Sequence, residues 1–156
     1  MDYHLLKYVH AIGGVVLLGT GAGIAFFMVM GHRTGQPAVI AAIARIVVIA
    51  DFLFTASAAV LQPASGVLLS WSMGYSLWES WIALSIMLYL LTGAFWLPVV
   101  WMQMRMRDLA GRAVAAGESL PAEYHRLFRW WFAFGVPAFS TVMAIFWLMI
   151  AKPQIF

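Results

Sequence analysis

No cysteine occurs in the 156 residues of this chain. That absence excludes disulfides, thiolate zinc sites, cysteine-held iron–sulfur clusters and the usual covalent attachment of haem. Charge is scarce too: 10% of residues are Asp, Glu, Lys or Arg, where a soluble domain carries roughly 25%. Also missing are a glycine-rich phosphate loop after a strand, a Ser/His/Asp set and paired catalytic carboxylates, so hydrolase and kinase chemistry have no support. What the chain does have is apolar surface, with 64% hydrophobic residues and a mean hydropathy of +0.91. A chain of this size cannot hide so much apolar area from water, and lipid is its natural solvent. The sequence pI near 9.6 does not point to nucleic acid, because the basic residues cluster at the ends of apolar segments, as at a membrane face.

Four apolar segments stand out, at about residues 5–30, 38–70, 77–104 and 121–151. Each exceeds the ~20 residues that cross a bilayer core as a helix. Pro63, Pro98 and Pro137 lie inside the second, third and fourth, where kinks are expected. Pro37 opens the second, and Ser119-Leu-Pro-Ala-Glu123 reads as a helix start. The first segment is too long, and the charge before it too weak, for a secretory signal peptide; it is read as a retained span. The expected fold is all-α, a single four-helix transmembrane bundle with no linker or second domain.

Orientation follows from the bases. Arg33, Arg45, Arg105, Arg107, Arg112, Arg126 and Arg129 fall beside the loops after segments one and three, and only Lys7 and Lys152 lie on the opposite side. The positive-inside rule then puts both termini outside, periplasmic in a bacterial inner membrane. Trp71, Trp78, Trp81 and Trp147 are expected in the outer aromatic belt. Trp96, Trp101, Trp130 and Trp131 are expected in the inner one.

His10 is the most informative single residue. An imidazole inside a span is costly unless partnered, and it is the commonest protein donor to haem iron. On a helix, His10, Gly14, Leu17 and Gly21 share one stripe with Gly13 beside it. A ligating ring next to glycines would leave a face on which a macrocycle could lie. The same glycines, with Gly19-Thr-Gly-Ala-Gly23, would equally let another helix approach closely. A second ligand is not evident: His4 is off the His10 face, and His32 and His125 belong to the other side of the membrane. A five-coordinate site, a methionine (Met73, Met87 or Met149) or His10 of a second copy remain.

Asp51 is the only clear intramembrane acid. It lies six residues beyond Arg45, so ~9 Å deeper by helical rise, where an unpaired charge costs about 2.5–3.5 kcal/mol. Arg129 of the fourth segment is the expected ion-pair partner, since Arg45 points to another face. A proton-relay carboxylate, a structural ion pair and a protonated acid bonded to a hydroxyl are all open. Gln62, next to Pro63, is placed near the level of His10, where the proline frees a backbone carbonyl. Glu79 could accept from an imidazole N–H or be a solvated acid at a helix start. Met102, Met104 and Met106 offer thioethers that suit Cu(I), but i, i+2 spacing on a helix does not converge three sulfurs.

The run Leu5-Leu-Lys-Tyr-Val-His10, then Gly19-Thr-Gly, His32-Arg-Thr-Gly35, Ala44-Arg45, Asp51-Phe-Leu-Phe-Thr55 and Gln62-Pro-Ala-Ser-Gly66 resembles a family of predicted bacterial integral membrane proteins with a domain of unknown function. The resemblance covers nearly the whole chain and brings no activity with it. Lys7-Tyr-Val-His10 also resembles the opening of the HemJ-type protoporphyrinogen oxidases, four-helix inner-membrane proteins with a haem-linked histidine there. That implies an axial-ligand role for His10. The same family relies on a lysine in its third span, and the third segment here has none. A resemblance to copper-resistance membrane proteins is looser.

The functional expectation is a bacterial inner-membrane protein that binds haem b and serves electron transfer or redox sensing, with quinone as a further cofactor. His10 would hold the metal, with Gly13, Gly14, Gly21 and Gln62 shaping the seat. Asp51, Arg45, Arg129 and Glu79 are the other polar residues of interest. The alternative is a non-enzymatic accessory or scaffold subunit packing into a homo-oligomer or larger membrane complex, with no nucleic-acid partner.

Overall fold

A computed structural model describes residues 2–155, and the described residues form helices joined by short turns. Helix α1 spans Tyr3–Arg33, α2 Pro37–Ala50, α3 Ser57–Met73, α4 Ser80–Ala116 and α5 Ala122–Ala151. Between α2 and α3 lies a π-helical segment, Asp51–Ala56, so that Pro37–Met73 runs as one rod. Four rods are thus long and apolar enough to cross a membrane, and consecutive ones run antiparallel, as four spans require. The arginines gather at one end of the bundle and both described chain ends at the other.

Local chemistry sets the ends. The Asp2 side chain caps α1 by accepting from the His4 N–H at 2.9 Å. Pro37 occupies the first turn of α2, where its missing N–H costs nothing. Helices α3 and α4 stop at Gly74 (φ 71°) and Gly117 (φ 67°), left-handed positions that glycine takes without steric cost. Two boundaries differ from the sequence reading. Helix α4 begins at Ser80 rather than near 77, after a turn in which the Trp78 N–H reaches the Ser76 hydroxyl. It also continues to Ala116 rather than stopping near 104. The extension is amphipathic: Met106, Leu109, Ala110 and Ala113 are buried, while Arg107 and Arg112 point outward.

The main core lies at the arginine end. Ile24 and Met28 of α1, Ile40, Ala44 and Val47 of α2, Met102, Met106 and Ala110 of α4, and Tyr124, Leu127 and Trp131 of α5 form one cluster. Met102 and Met106 sit i, i+4 on its face, whereas Met104 is off it. This is the packing role for the methionines, not a converging sulfur site. Packing partners change along the second rod. Helix α2 packs on α4, but beyond the π-helical segment α3 packs on α1 instead. Helices α4 and α5 form their own close pair. The two pairs diverge towards the end that holds the termini.

Candidate functional site

Where the pairs diverge they enclose a cavity of about 490 Å3. Its walls come from α1, the π-helical segment, α3, α4 and α5, and Asp51 is the only charged residue among them. Gly21, Gly93 and Gly135 line it, and a Cβ built on any of the three meets nothing within 4 Å. The cavity thus exists partly because three helices carry hydrogen where another side chain would fill space.

Polar groups occupy two regions of the wall. At the first, Asp51 is 3% exposed. Its Oδ1 accepts from the Trp96 indole N–H at 3.4 Å. A carboxylate and an indole N–H fix the orientation of the Gln103 amide between them. The Gln103 nitrogen donates to Asp51 Oδ2 at 2.9 Å, and its oxygen accepts from the Trp131 indole N–H at 3.2 Å. The hydroxyl of Thr55, within the same π-helical segment, is buried on the Asp51 side of the wall. One-residue widening of a helix at such a place is a recurrent way to re-aim side chains at functional sites.

At the second region stand Gln62, Tyr89 and Thr92. Pro63 cannot donate to the carbonyl of Ala59 four residues earlier, and the Tyr89 hydroxyl donates to that carbonyl instead. The Gln62 side-chain nitrogen donates to the backbone carbonyl of His10 at 2.7 Å. Thr92 and Thr141 join their hydroxyls at 2.7 Å across α4 and α5.

His10 lies behind this wall rather than in it. Its Nδ1 is 2.8 Å from the Ser65 hydroxyl, which is itself 2.7 Å from the Leu61 carbonyl. A carbonyl can only accept, so the serine proton goes to Leu61 and the imidazole donates from Nδ1. The other nitrogen, Nε2, keeps its lone pair. Gly66 lets α3 come this close: a Cβ there would stand 3.3 Å from His10 Cε1.

The glycines expected to form an open face are therefore of two kinds. Gly13 lies under the Gln62 amide and Gly14 under the Phe146 ring, with an added Cβ at 2.5 Å and 3.0 Å from them. They serve close packing and do not seat a macrocycle. Gly14 and Gly21 both border the cavity, but only Gly21 has open space where a Cβ would stand, as Gly19 and Gly23 have outside it. As for haem, the Nδ1-protonated imidazole fits a ligand role, but the residues around it do not fit a macrocycle enclosed along Gly13 and Gly14.

Other expectations change as well. Arg129 is exposed and does not reach Asp51. The ion pairs among the described residues are Arg105–Glu123 and Arg107–Asp108, both at 2.8 Å. Neutral donors from α4 take the place expected for an arginine, because near the start of α5 it is Trp131 and not Arg129 that turns inward. Arg45 is exposed and borders a surface depression with Arg107 and Arg112. Glu79 is the N-cap residue of α4, its backbone carbonyl accepting from the Ile82 and Ala83 N–H groups; the His10 imidazole is bonded to Ser65 instead. Trp96 and Trp131 leave the expected inner belt and turn inward to Asp51 and Gln103, whereas Trp101 and Trp130 are 57% exposed. Among the described residues, no group of three His, Asp or Glu side chains could hold a metal ion.

Sequence reasoning missed Tyr89, Thr92, Gly93, Trp96, Gln103 and Gly135. A signal was available for part of this set. Tyr89, Thr92, Trp96, Val99 and Gln103 recur at steps of three and four, so one face of an otherwise apolar span carries its polar and aromatic groups.

The fold and the site define a four-span helical membrane protein with a mostly apolar cavity between its spans. Residues 4–153 match the family described as "predicted integral membrane protein (DUF2269)", and the chain belongs to that family. No curated protein and no solved structure matches it.

Proposed function

We propose that this chain is an intramembrane binding protein for a small lipid-dissolved molecule with an apolar body and a compact polar end. The cavity carries the reading. Its volume of about 490 Å3 falls within the few hundred to a thousand Å3 usual for ligand sites, which pair apolar walls with a few placed polar groups. Leu97, Phe132, Val136 and Phe139 line it and are 64%, 51%, 52% and 38% exposed, which supports entry sideways from the bilayer. The quinone expected from the sequence falls in this ligand class, and the Tyr89 and Thr55 hydroxyls on the wall are polar groups suited to its carbonyl end. The test uses a short-chain ubiquinone and tryptophan fluorescence, since Trp96 and Trp131 border the cavity. Saturable quenching is expected in the wild type and its loss in Gly93→Leu and Gly135→Leu. Unchanged quenching in both filled variants overturns the reading.

The arginine asymmetry supports a bacterial inner-membrane location with both termini periplasmic. Cysteines placed at Ser76 and Gly117 test it in sealed cells: Ser76→Cys should label from outside, and labelling of Gly117→Cys reverses the orientation.

A second reading keeps His10 as an axial ligand of haem b in electron transfer or redox sensing. It is favoured by the hydrogen bond from Nδ1 to Ser65, which leaves Nε2 as a donor atom. Because Gly13 and Gly14 are covered, the macrocycle would lie on the outer surface of α1 or between two copies. A Soret band lost in His10→Ala supports it, and a colourless wild type made with adequate haem removes it.

A further inference from the structure

The most unusual group in the molecule is a carboxylate without a counter-charge. Asp51 is buried, belongs to neither ion pair among the described residues, and is the only charged residue lining the cavity. Both of its oxygens accept from neutral N–H groups, Trp96 on one and Gln103 on the other. Neither of these two accepts a carboxyl proton in return, Gln103 being held in its donating orientation by Trp131, and the Thr55 hydroxyl beside the carboxylate is a third donor to it. The site is thus built around an acceptor with negative charge, at a depth where such a charge is expensive when alone. Two indoles, Trp96 and Trp131, border the same end of the cavity, and indole faces attract cations.

We propose that the cavity takes a lipophilic organic cation of single charge, its positive centre held near Asp51 and the tryptophans and its apolar body along the Leu97–Phe139 wall. This rests on the cavity being the binding site, as argued above, and names the chemical class of its ligand. A bare metal ion fits less well. Hard cations take several oxygen ligands, whereas this wall offers one carboxylate, already engaged on both oxygens, and a space of about 490 Å3. A neutral ligand such as a quinone can fill the same space but gains nothing from the carboxylate. An anion would be repelled by the one charge present.

The experiment uses the full-length protein in lipid nanodiscs and two ions of one shape and opposite charge, tetraphenylphosphonium and tetraphenylborate. Equilibrium binding is measured for both, alongside the neutral short-chain ubiquinone. Wild type is expected to bind the phosphonium saturably and the borate not at all above empty nanodiscs. Asp51→Asn keeps the shape of the side chain and removes its charge, so phosphonium affinity should fall about tenfold or more while ubiquinone binding stays. Gly93→Leu should lose both. Equal binding of the two ions by wild type, or unchanged phosphonium affinity in Asp51→Asn, overturns the cation proposal and leaves the cavity reading intact. Retention of ubiquinone binding by both Gly93→Leu and Gly135→Leu overturns the cavity reading itself. The contrast between ions needs no variant, so it decides the matter even where Asp51→Asn folds poorly.

Discussion

The two ends of this bundle are built differently. At the arginine end, four rods meet around Met106, Ala110 and Tyr124, all 0% exposed, and small side chains such as Ala44 and Ala110 bring the backbones close. Towards the termini the rods separate into an α1–α3 pair and an α4–α5 pair, with a cavity between them. The Asp51–Ala56 π-helical segment marks the place where the second rod leaves α4 for α1. In lipid, apolar side chains gain nothing from leaving the solvent, so helices associate through close packing and hydrogen bonds. The tight end has the packing. The open end is held by a few specific bonds, His10 to Ser65, Gln62 to the His10 carbonyl, and Tyr89 to the Ala59 carbonyl.

That contrast is broken most severely at the tight end. Met106→Ala should cost about 2–5 kcal/mol, as for a fully buried side chain with no room to collapse; the fold is read from the midpoint of denaturant unfolding in mixed micelles. Gly93→Leu, at the open end, should leave that midpoint within about 0.5 kcal/mol of wild type, because the new side chain enters existing space. An equal loss in the two variants would show that the ends are packed alike. Next in size is Gly13→Ala. Its methyl group would displace the Gln62 amide from the His10 carbonyl, at a cost of about 1–3 kcal/mol, whereas Gly21→Ala should be neutral. Ser65→Ala should cost about 1 kcal/mol by leaving His10 Nδ1 without its acceptor. Smallest of all, Tyr124→Phe should change stability by no more than about 0.5 kcal/mol, or raise it. The buried Tyr124 hydroxyl has no hydrogen-bond partner, so removing it relieves a desolvated group. A clear destabilisation there would mean that the hydroxyl has an acceptor.

Much of the architecture was legible in the chain. The four apolar segments, the helix starts at Pro37 and before Glu123, and the placing of Gln62 near the level of His10 follow from local rules of length, capping and proline chemistry. The candidate site was legible only in part. His10 was singled out for what its ring can bind, yet its partner, Ser65, is fifty-five residues away and was visible only as one more serine. Asp51 was recognised as costly and assigned an arginine, since charge pairs with charge in the simplest account. Its actual partners are an indole and an amide, which carry no charge signal in a sequence.

Composition and periodicity determined by themselves that this chain lives in lipid as four helices with its arginines at one end, because hydrophobic length and charge placement act residue by residue. Whether a glycine meets a neighbour or empty space was decided only in the tertiary structure. Gly13, Gly14 and Gly21 look alike along α1, and they differ because Gln62 and Phe146 arrive from other helices at the first two and nothing arrives at the third. The cavity, the buried Asp51 on its wall and the contact of His10 with Ser65 all come from that same source: the angle at which helices part, which no local pattern encodes.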